Sequence, residues 1–213
     1  PYQLMTLEVV DRALRDAGYH EREFDRKRTS VFVGEGGAVG NLGQLYCLRS
    51  LLPMFMENVP EEVLSQLPDW TEDSFPGLLP NVIAGRIANQ YDLGGTNLST
   101  SAACAAGLAA LSLGIDELVS GKSRMSIVAA VDVQQNPFTY LCFAKTLALS
   151  PTGTPRCFDA SGDGIVISQG IGAVILKRLE DAERDGDRIY AVIRGVGSSS
   201  DGRGKSLTAP TVE

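Results

Sequence analysis

The sequence contains little histidine, tryptophan and cysteine for a chain of 213 residues. It has one histidine, one tryptophan and four cysteines, and only 7% of its residues are aromatic. The four cysteines, Cys47, Cys104, Cys142 and Cys157, form no C-x-x-C pair and show no spacing typical of zinc sites. Because of this spacing, we expect no bound metal. Disulfide frameworks are unusual in chains of this size, so we also expect reduced thiols and a cytoplasmic protein.

The chain also lacks an excess of positive charge and a long apolar run. Lys and Arg number 19 against 26 Asp and Glu, and the net charge of −7 makes nucleic acid an unexpected partner. The longest uncharged stretch, residues 93–115, begins with Gly, Thr, Asn and Ser, so we expect no membrane span. The chain opens at Pro1 without a signal-peptide pattern and stops at Glu213 without a closing element, as a piece of a longer protein would.

Strand-like and helix-like segments alternate along the chain. The spacing of Leu4, Leu7, Val10 and Leu14 predicts an amphipathic helix that stops at Gly18. Apolar runs predict strands at residues 29–34, 124–133, 172–179 and 189–196, and helical spacing recurs over 81–95 and 104–120. Residues 41–80 predict only loops and short helices. This alternation predicts an α/β layered fold with a mainly parallel, mixed sheet.

A glycine-rich loop, residues 34–40, follows the first predicted strand. A dinucleotide-binding fingerprint that starts at Gly34 would need glycine at position 39, where the chain has Val39. No phosphate-loop Lys-Ser or Lys-Thr pair follows. We therefore interpret this loop as a tight turn and predict no cofactor-binding residue.

Cys104 lies where a polar, strand-like run meets a helix of small residues. The first ten residues of that predicted helix carry no charge, which predicts a helix packed on every side. Exposed N–H groups and the macrodipole at a helix N-terminus favour a thiolate, the form that acts as a nucleophile. The position alone favours the alternative of an inert buried cysteine.

Residues 99–118, STSAACAAGLAALSLGIDEL, resemble the active-site segment of β-ketoacyl synthases, the ketosynthase domains of fatty-acid and polyketide synthases. Five further segments resemble the same family in the same order, namely residues 7–19, 84–95, 148–170, 173–195 and 199–210. Within the family, the similarity is greatest to the ketosynthases of modular polyketide and polyunsaturated fatty-acid synthases.

The resemblance implies a thiolase-like fold of two similar α/β halves, and a homodimer. It implies an acyltransferase in which Cys104 takes an acyl chain from a phosphopantetheine thioester carried by an acyl carrier protein. A malonyl-type extender then loses carbon dioxide and attacks the Cys104 thioester in a Claisen condensation. Other thiolase-fold enzymes that condense coenzyme A thioesters, and non-catalytic chain-length-factor-like subunits, are the alternatives.

The chain also departs from the family pattern. The family uses two catalytic histidines, and His20 matches neither position, so we expect a surface residue and an inactive fragment. The resemblance implies that residues 1–185 are the N-terminal half without its first strand and that 186–213 begin the C-terminal half. The missing strand belongs in the middle of the sheet, so we expect its neighbours to expose unpaired edges.

Three polar positions near the site follow from the same resemblance. Ser101 stands where modular ketosynthases often have Asp, and Gln169 stands where they often have Glu. Asp163 matches the family's loop aspartate and is either part of a polar network near the cavity or a structural turn residue. We interpret Ser101 and Asp163 as residues that support Cys104 without contacting the acyl chain.

Overall fold

The computed structural model describes residues 1–36, 41–133 and 135–203. The helices in this part of the chain are α1 (Tyr2–Asp16), α2 (Asn41–Phe55), α3 (Glu61–Leu64), α4 (Ser74–Leu78), α5 (Val82–Gln90), α6 (Ala106–Val119), α7 (Pro137–Lys145) and α8 (Leu179–Arg184). The strands are β1 (Thr29–Glu35), β2 (Asn97–Thr100), β3 (Met125–Asp132) and β4 (Gly170–Lys177), and a 3₁₀ turn at Arg26–Arg28 precedes β1.

The strands form one mixed sheet in the order β2-β1-β3-β4. β1 pairs in parallel with both β2 and β3, whereas β4 runs antiparallel to β3. β1 is buried along its whole length, as its β-branched and aromatic sequence predicts. The prediction of a mainly parallel, mixed sheet is confirmed.

Helices cover the two faces of this sheet. On one face, Val10 of α1 and Ile87 of α5 pack against Val31 and Ile127 in the larger hydrophobic cluster. On the other face, Ala110 of α6 packs against Phe32 and Val128. The alternation of side chains along β1 explains this division, because successive residues of a strand point to opposite faces. The core therefore lies on both sides of β1 and β3.

Helix α1 forms as predicted and ends before Gly18, whose φ of 77° is the left-handed conformation common after helices. Its buried face differs by part of a turn from the prediction. Thr6, Val10 and Leu14 are buried, while the predicted core residue Leu4 is 62% exposed. A hydroxyl at position 6 is compatible with burial because Thr6 donates a hydrogen bond to the Tyr2 carbonyl at 2.8 Å.

Helix α6 lies close to the sheet because its inner face is made of small residues. A Cβ atom on Gly114 would come within 2.7 Å of a Val128 methyl group and 2.8 Å of the Ser126 hydroxyl. The outer face of the helix is open, with Leu108 69% and Val119 77% exposed. The prediction that α6 is packed on every side is therefore wrong for this chain, since the sheet covers one face only.

The region predicted as loops and short helices contains a helix of 15 residues, α2. Pro53 lies inside α2, two residues before its end, and removes a backbone donor that a helix normally uses. Tyr46 anchors the helix by stacking on Trp70 at a centroid distance of 4.5 Å. The prediction missed α2 because its leucines do not keep to one face and its proline resembles a breaker.

Two further predictions about strands are wrong. Residues 189–196 form no strand, and Tyr190 is 76% exposed, because no strand of the described chain lies beside them to pair with their backbone. The expected unpaired edges inside the sheet are also not seen. β1 and β3 pair with each other directly from Thr29↔Met125 to Glu35↔Val131, so these two neighbours satisfy each other's backbone groups.

Candidate active site

A sharp turn joins the end of β2 to the start of α6. β2 ends at Thr100 and α6 begins at Ala106, two residues later than predicted. Within the turn, the Ala105 N–H donates to the Ala102 carbonyl and the Ala106 N–H donates to the Ala103 carbonyl, both at 3.0 Å. Ala103 has a φ of 47°, a left-handed conformation that is uncommon for a residue with a Cβ atom.

Cys104 lies in this turn, immediately after the left-handed Ala103. Its thiol is free and its side chain is exposed. Cys104 is therefore not buried, whereas the alternative of an inert core cysteine requires burial. Cys104 precedes Ala106, the first residue of α6, by two positions, and the backbone N–H groups at a helix N-terminus suit the oxygen of an attacked carbonyl. This environment can support nucleophilic attack on a thioester.

Ser101 shares this turn with Cys104. It is the first residue after β2, and its side chain is exposed. The neighbouring Ala102 carbonyl accepts the hydrogen bond that closes the turn. Ser101 thus lies at the point where the chain leaves the sheet to reach Cys104.

Asp163 organises a separate loop, residues 148–165. Ser150 donates a hydrogen bond to one carboxylate oxygen of Asp163 at 2.6 Å, and Thr152 donates to the other at 2.8 Å. Arg156 lies 3.3 Å from the same carboxylate. The hydrogen bonds from Ser150 and then Thr152 hold the pKa of Asp163 below its usual value. Among the described residues, no hydrogen bond joins Asp163 to the turn of Cys104, and its visible contacts are those of a loop residue.

The ends of this loop are tied together by backbone pairing. The Ser150 N–H donates to the Ile165 carbonyl at 2.8 Å, and the Ile165 N–H donates to the Ala148 carbonyl at 2.9 Å. Gly164, with a φ of 147°, lies against Ser150 so closely that a Cβ atom would come within 2.6 Å of its nitrogen. The loop is therefore closed at its base, and Asp163 fixes its interior.

The remaining candidate residues are surface residues. His20 is exposed, as predicted, and Gln169 is exposed just before β4. Cys47, Cys142 and Cys157 are exposed free thiols, the first two on helices and the third in the Asp163 loop. Exposure thus does not by itself distinguish Cys104 from the other thiols. Its position in the strand-to-helix turn does.

Neither a metal centre nor a membrane helix is found in the described residues. No group of three or more His, Cys, Asp or Glu side chains among them could hold a metal ion. None of the helices given above is both long enough and apolar enough to cross a bilayer. Of the glycine-rich loop, residues 37–40 lie outside the described residues, as do residues 204–213 of the last family-like segment.

Two residues of the site carry weak or no signal in the sequence and were missed. Ala103 has no signal, because alanine gives no indication of a left-handed conformation. Gly34 was predicted both as the last residue of the strand 29–34 and as the first residue of the turn, and it lies inside β1, directly beneath the first turn of α6. A glycine that ends an apolar strand pattern is the available signal, since such a glycine often marks close backbone approach.

Known proteins with similar sequences are very long synthases. The chain is 35% identical to a polyunsaturated fatty acid synthase subunit from Thraustochytrium, over 99% of this chain and 8% of that protein. It is 36% identical to a phenolphthiocerol/phthiocerol polyketide synthase subunit from Mycobacterium tuberculosis, over 99% of this chain and 10% of that protein. The chain thus spans a tenth or less of the length of these two relatives.

Solved structures with the same fold are ketosynthases, of which this chain spans about a third. The oxazolomycin ketosynthase domain from Streptomyces albus matches with a TM-score of 0.77 and 32% identity, over 99% of this chain and 33% of that one. The ketosynthase from module 6 of the bacillaene synthase of Bacillus subtilis matches with a TM-score of 0.75 and 28% identity, over 99% and 32%. The predicted thiolase-like, layered α/β fold is confirmed by these neighbours.

The family model described as "Beta-ketoacyl synthase, N-terminal domain" matches residues 1–182. This match covers most of the chain and includes β2, the Cys104 turn and α6. The resemblance found in the sequence is confirmed, and the protein belongs to the β-ketoacyl synthase family.

Proposed function

We propose that this chain supplies the nucleophile of a β-ketoacyl synthase and that Cys104 is the residue that accepts the acyl chain. The observation that carries the proposal is the exposed Cys104 sulfur in the strand-to-helix turn at the N-terminus of α6. The exposed sulfur there can be reached by a substrate, and the N–H groups of the helix terminus suit the oxygen of an attacked carbonyl.

The proposed reaction has two bond-forming steps. In the first, the Cys104 thiolate attacks the carbonyl carbon of a phosphopantetheine thioester, and the pantetheine sulfur leaves and takes up a proton. In the second, a malonyl-type extender loses carbon dioxide, and the electron pair left on carbon attacks the Cys104 thioester. The new C–C bond lengthens the chain by two carbons and returns the Cys104 thiolate.

The partners follow from this chemistry. We propose that an acyl carrier protein delivers both thioesters and that the chain itself binds no cofactor. The relatives named above are a polyunsaturated fatty acid synthase and a polyketide synthase, which favours carrier-bound substrates over free coenzyme A thioesters. We also propose a homodimer in the cytoplasm. β2 lies at one edge of the sheet, and an edge strand can pair with a strand of a second copy of the chain.

We propose that residues 1–185 belong to the N-terminal half of the ketosynthase domain and that residues 186–213 begin the C-terminal half. The family model for the N-terminal domain ends at residue 182, close to this boundary. The chain has one histidine, His20, on the surface, so it contains neither of the two catalytic histidines that the family resemblance implies. We therefore expect this part of the protein to be inactive by itself.

Supporting roles are proposed for Ser101 and Asp163. Ser101 lies in the same turn as Cys104, so a substitution of Ser101 would alter the backbone path from β2 into α6. Asp163 ties Ser150 and Thr152 together, so a change there acts on the shape of the 148–165 loop. Neither residue is proposed to bond to the acyl group.

The first test is Cys104→Ala in the full-length protein. This small change should leave the fold intact and abolish acyl loading and elongation, because it removes the only atom to which the acyl chain is bonded. Intact-mass and peptide mass spectrometry after incubation with acyl carrier protein thioesters should find the acyl group on Cys104 in the wild type and nowhere in the variant. Cys157→Ala, at another exposed thiol, is the matched control and should load normally.

The alternatives give different results in the same assay. A coenzyme A-dependent condensing enzyme would load Cys104 from acyl-coenzyme A and reject malonyl carrier protein. A non-catalytic subunit would load no acyl group at all. Acylation that mapped to Cys47, Cys142 or Cys157 in place of Cys104 would contradict the assignment of the nucleophile.

A further inference from the structure

Gly34 occupies the centre of the sheet beneath α6. It pairs with Thr100 of β2 on one side and with Ala130 of β3 on the other. Phe32, two residues earlier in β1, packs against α6, so Gly34 faces the same helix. The residue at position 34 is therefore the part of β1 that lies directly below the first turn of α6.

The first turn of α6 leaves no room for a side chain at position 34. A Cβ atom on Gly34 would lie 2.5 Å from the Ala106 carbonyl carbon and 2.6 Å from the Gly107 nitrogen. Both atoms belong to the helix backbone, which cannot rotate away as the end of a side chain can. Because ordinary van der Waals contact begins near 3.4 Å, an alanine here would displace the first turn of the helix by about 1 Å.

A second close contact holds the same turn. A Cβ atom on Gly107 would lie 2.9 Å from the Cβ atom of Ala130, the residue that pairs with Gly34 in the neighbouring strand. The first turn of α6 thus rests on Gly34 and Ala130 at once. Two strands set its height above the sheet.

Cys104 is attached to this turn by short hydrogen-bonded links. Ala106, the residue above Gly34, donates its N–H to the Ala103 carbonyl, and Ala105 donates to the Ala102 carbonyl. A displacement of Ala106 therefore moves the segment that carries the sulfur. We propose that Gly34 is a positioning residue that fixes the Cys104 sulfur for attack on a thioester, an inference that rests on the proposed function.

The experiment compares Gly34→Ala with Gly36→Ala in the full-length protein, well below the melting temperature of each variant. Gly36 is exposed, and a Cβ atom there would meet nothing within 4 Å, which makes it a matched control. The measured quantity is the rate at which an acyl-N-acetylcysteamine thioester acylates Cys104, followed by quenched mass spectrometry. Since a misplacement of about 1 Å can cost about 100-fold in rate, Gly34→Ala should acylate about 100-fold more slowly. Gly36→Ala should stay within about twofold of the wild type.

A second readout separates positioning from loss of the fold. Iodoacetamide is small and needs no aligned substrate, so Gly34→Ala should be alkylated at Cys104 at nearly the wild-type rate. A lower melting temperature with an unchanged acylation rate would overturn the inference and leave Gly34 with a structural role only. Failure of the wild type to acylate Cys104 would instead overturn the proposed function.

A second pair of variants, a single and a double substitution, tests the same inference if Gly34→Ala does not fold. Gly107→Ala introduces the milder contact with the Ala130 methyl group and should slow acylation. Adding Ala130→Gly removes that methyl group and should restore the rate. Slow acylation that the second change fails to restore would contradict the idea that the height of α6 above the sheet positions the sulfur.

Discussion

Replacing Lys177 by methionine should loosen the connection between β4, α8 and α1. Lys177 is the last residue of β4, and its ammonium group lies 2.5 Å from Asp187, 2.6 Å from Asp185 and 2.8 Å from the Tyr19 hydroxyl. Arg22 completes the group with a contact of 2.6 Å to Asp187. These residues, Tyr19, Arg22, Lys177, Asp185 and Asp187, are called the Lys177 cluster below.

The expected loss of stability follows from how deeply the charges are buried. The Lys177 and Asp187 side chains are 10% and 11% exposed. Breaking a buried ion pair by removing one partner costs about 3–5 kcal/mol. Asp187 keeps Arg22 and the Tyr19 hydroxyl in the variant, and Asp185 is more exposed. The lower end of that range, about 3 kcal/mol, is therefore expected for local opening, which corresponds to about 100-fold in the opening equilibrium.

Amide hydrogen exchange of the full-length protein measures this opening directly. Peptides that cover residues 177–188 should exchange about 100-fold faster in Lys177→Met than in the wild type. Lys122→Met is the matched control, because Lys122 is exposed in a turn outside the cluster, and its exchange should change by no more than about twofold. Unchanged protection of residues 177–188 in Lys177→Met would refute the reasoning, because the buried charges would then contribute nothing to the connection.

The pH dependence of amide exchange in residues 177–188 is a second test of the Lys177 cluster. Hydrogen bonds from Lys177 and then Arg184 lower the pKa of Asp185 to about 2. Burial tends to raise the pKa of Asp187, but hydrogen bonds from Lys177, Arg22 and Tyr19 outweigh it and lower that pKa. Carboxylates with lowered pKa values stabilise the fold above their unfolded pKa, near 3.8, and this stability is lost as the pH falls towards 2. Exchange of residues 177–188, corrected for the intrinsic rate, should therefore accelerate as the pH falls from about 4 to about 2, and less so in Lys177→Met.

Two further predictions concern the loop and the separated chain. Asp163→Asn weakens the hydrogen bonds from Ser150 and Thr152, so amides of residues 148–165 should exchange about 3- to 10-fold faster in the full-length protein. The control is Asp159→Asn, because the Asp159 carboxylate accepts hydrogen bonds from Ser161 within its own turn. Equal effects of the two changes would contradict the role of Asp163. The isolated chain of 213 residues should show no cooperative melt by circular dichroism, because large apolar side chains such as Leu108, Phe55 and Val119 are exposed. A cooperative melt with the helix content of the structure would contradict that expectation.

The sequence predicted best those elements that carry a clear local signal. β1 and β3 are continuous apolar runs and are buried on both faces, and the helix α1 has a clear stop at Gly18. α2 was missed because its apolar residues are distributed around the helix, with Met54 75% and Phe55 82% exposed, so its periodic signal is weak. The strand expected at 189–196 failed for a different reason. An apolar run indicates that a segment can form a strand, but only a neighbouring backbone makes it one.

The same contrast between local and long-range information applies to the site. Cys104 could be found from the sequence because the residues around it resemble those of a known family, and its place at the end of a strand-like run is local information. Gly34 lies 70 positions earlier, and its contact with Ala106 depends on the parallel pairing of β1 and β2, which no local pattern specifies. The proposed nucleophile thus lies next to its helix in the sequence, while the residue proposed to position it lies in a different strand. We therefore expect that substitutions which preserve every residue from 99 to 118 can still disable the proposed chemistry, and Gly34→Ala is the simplest of them.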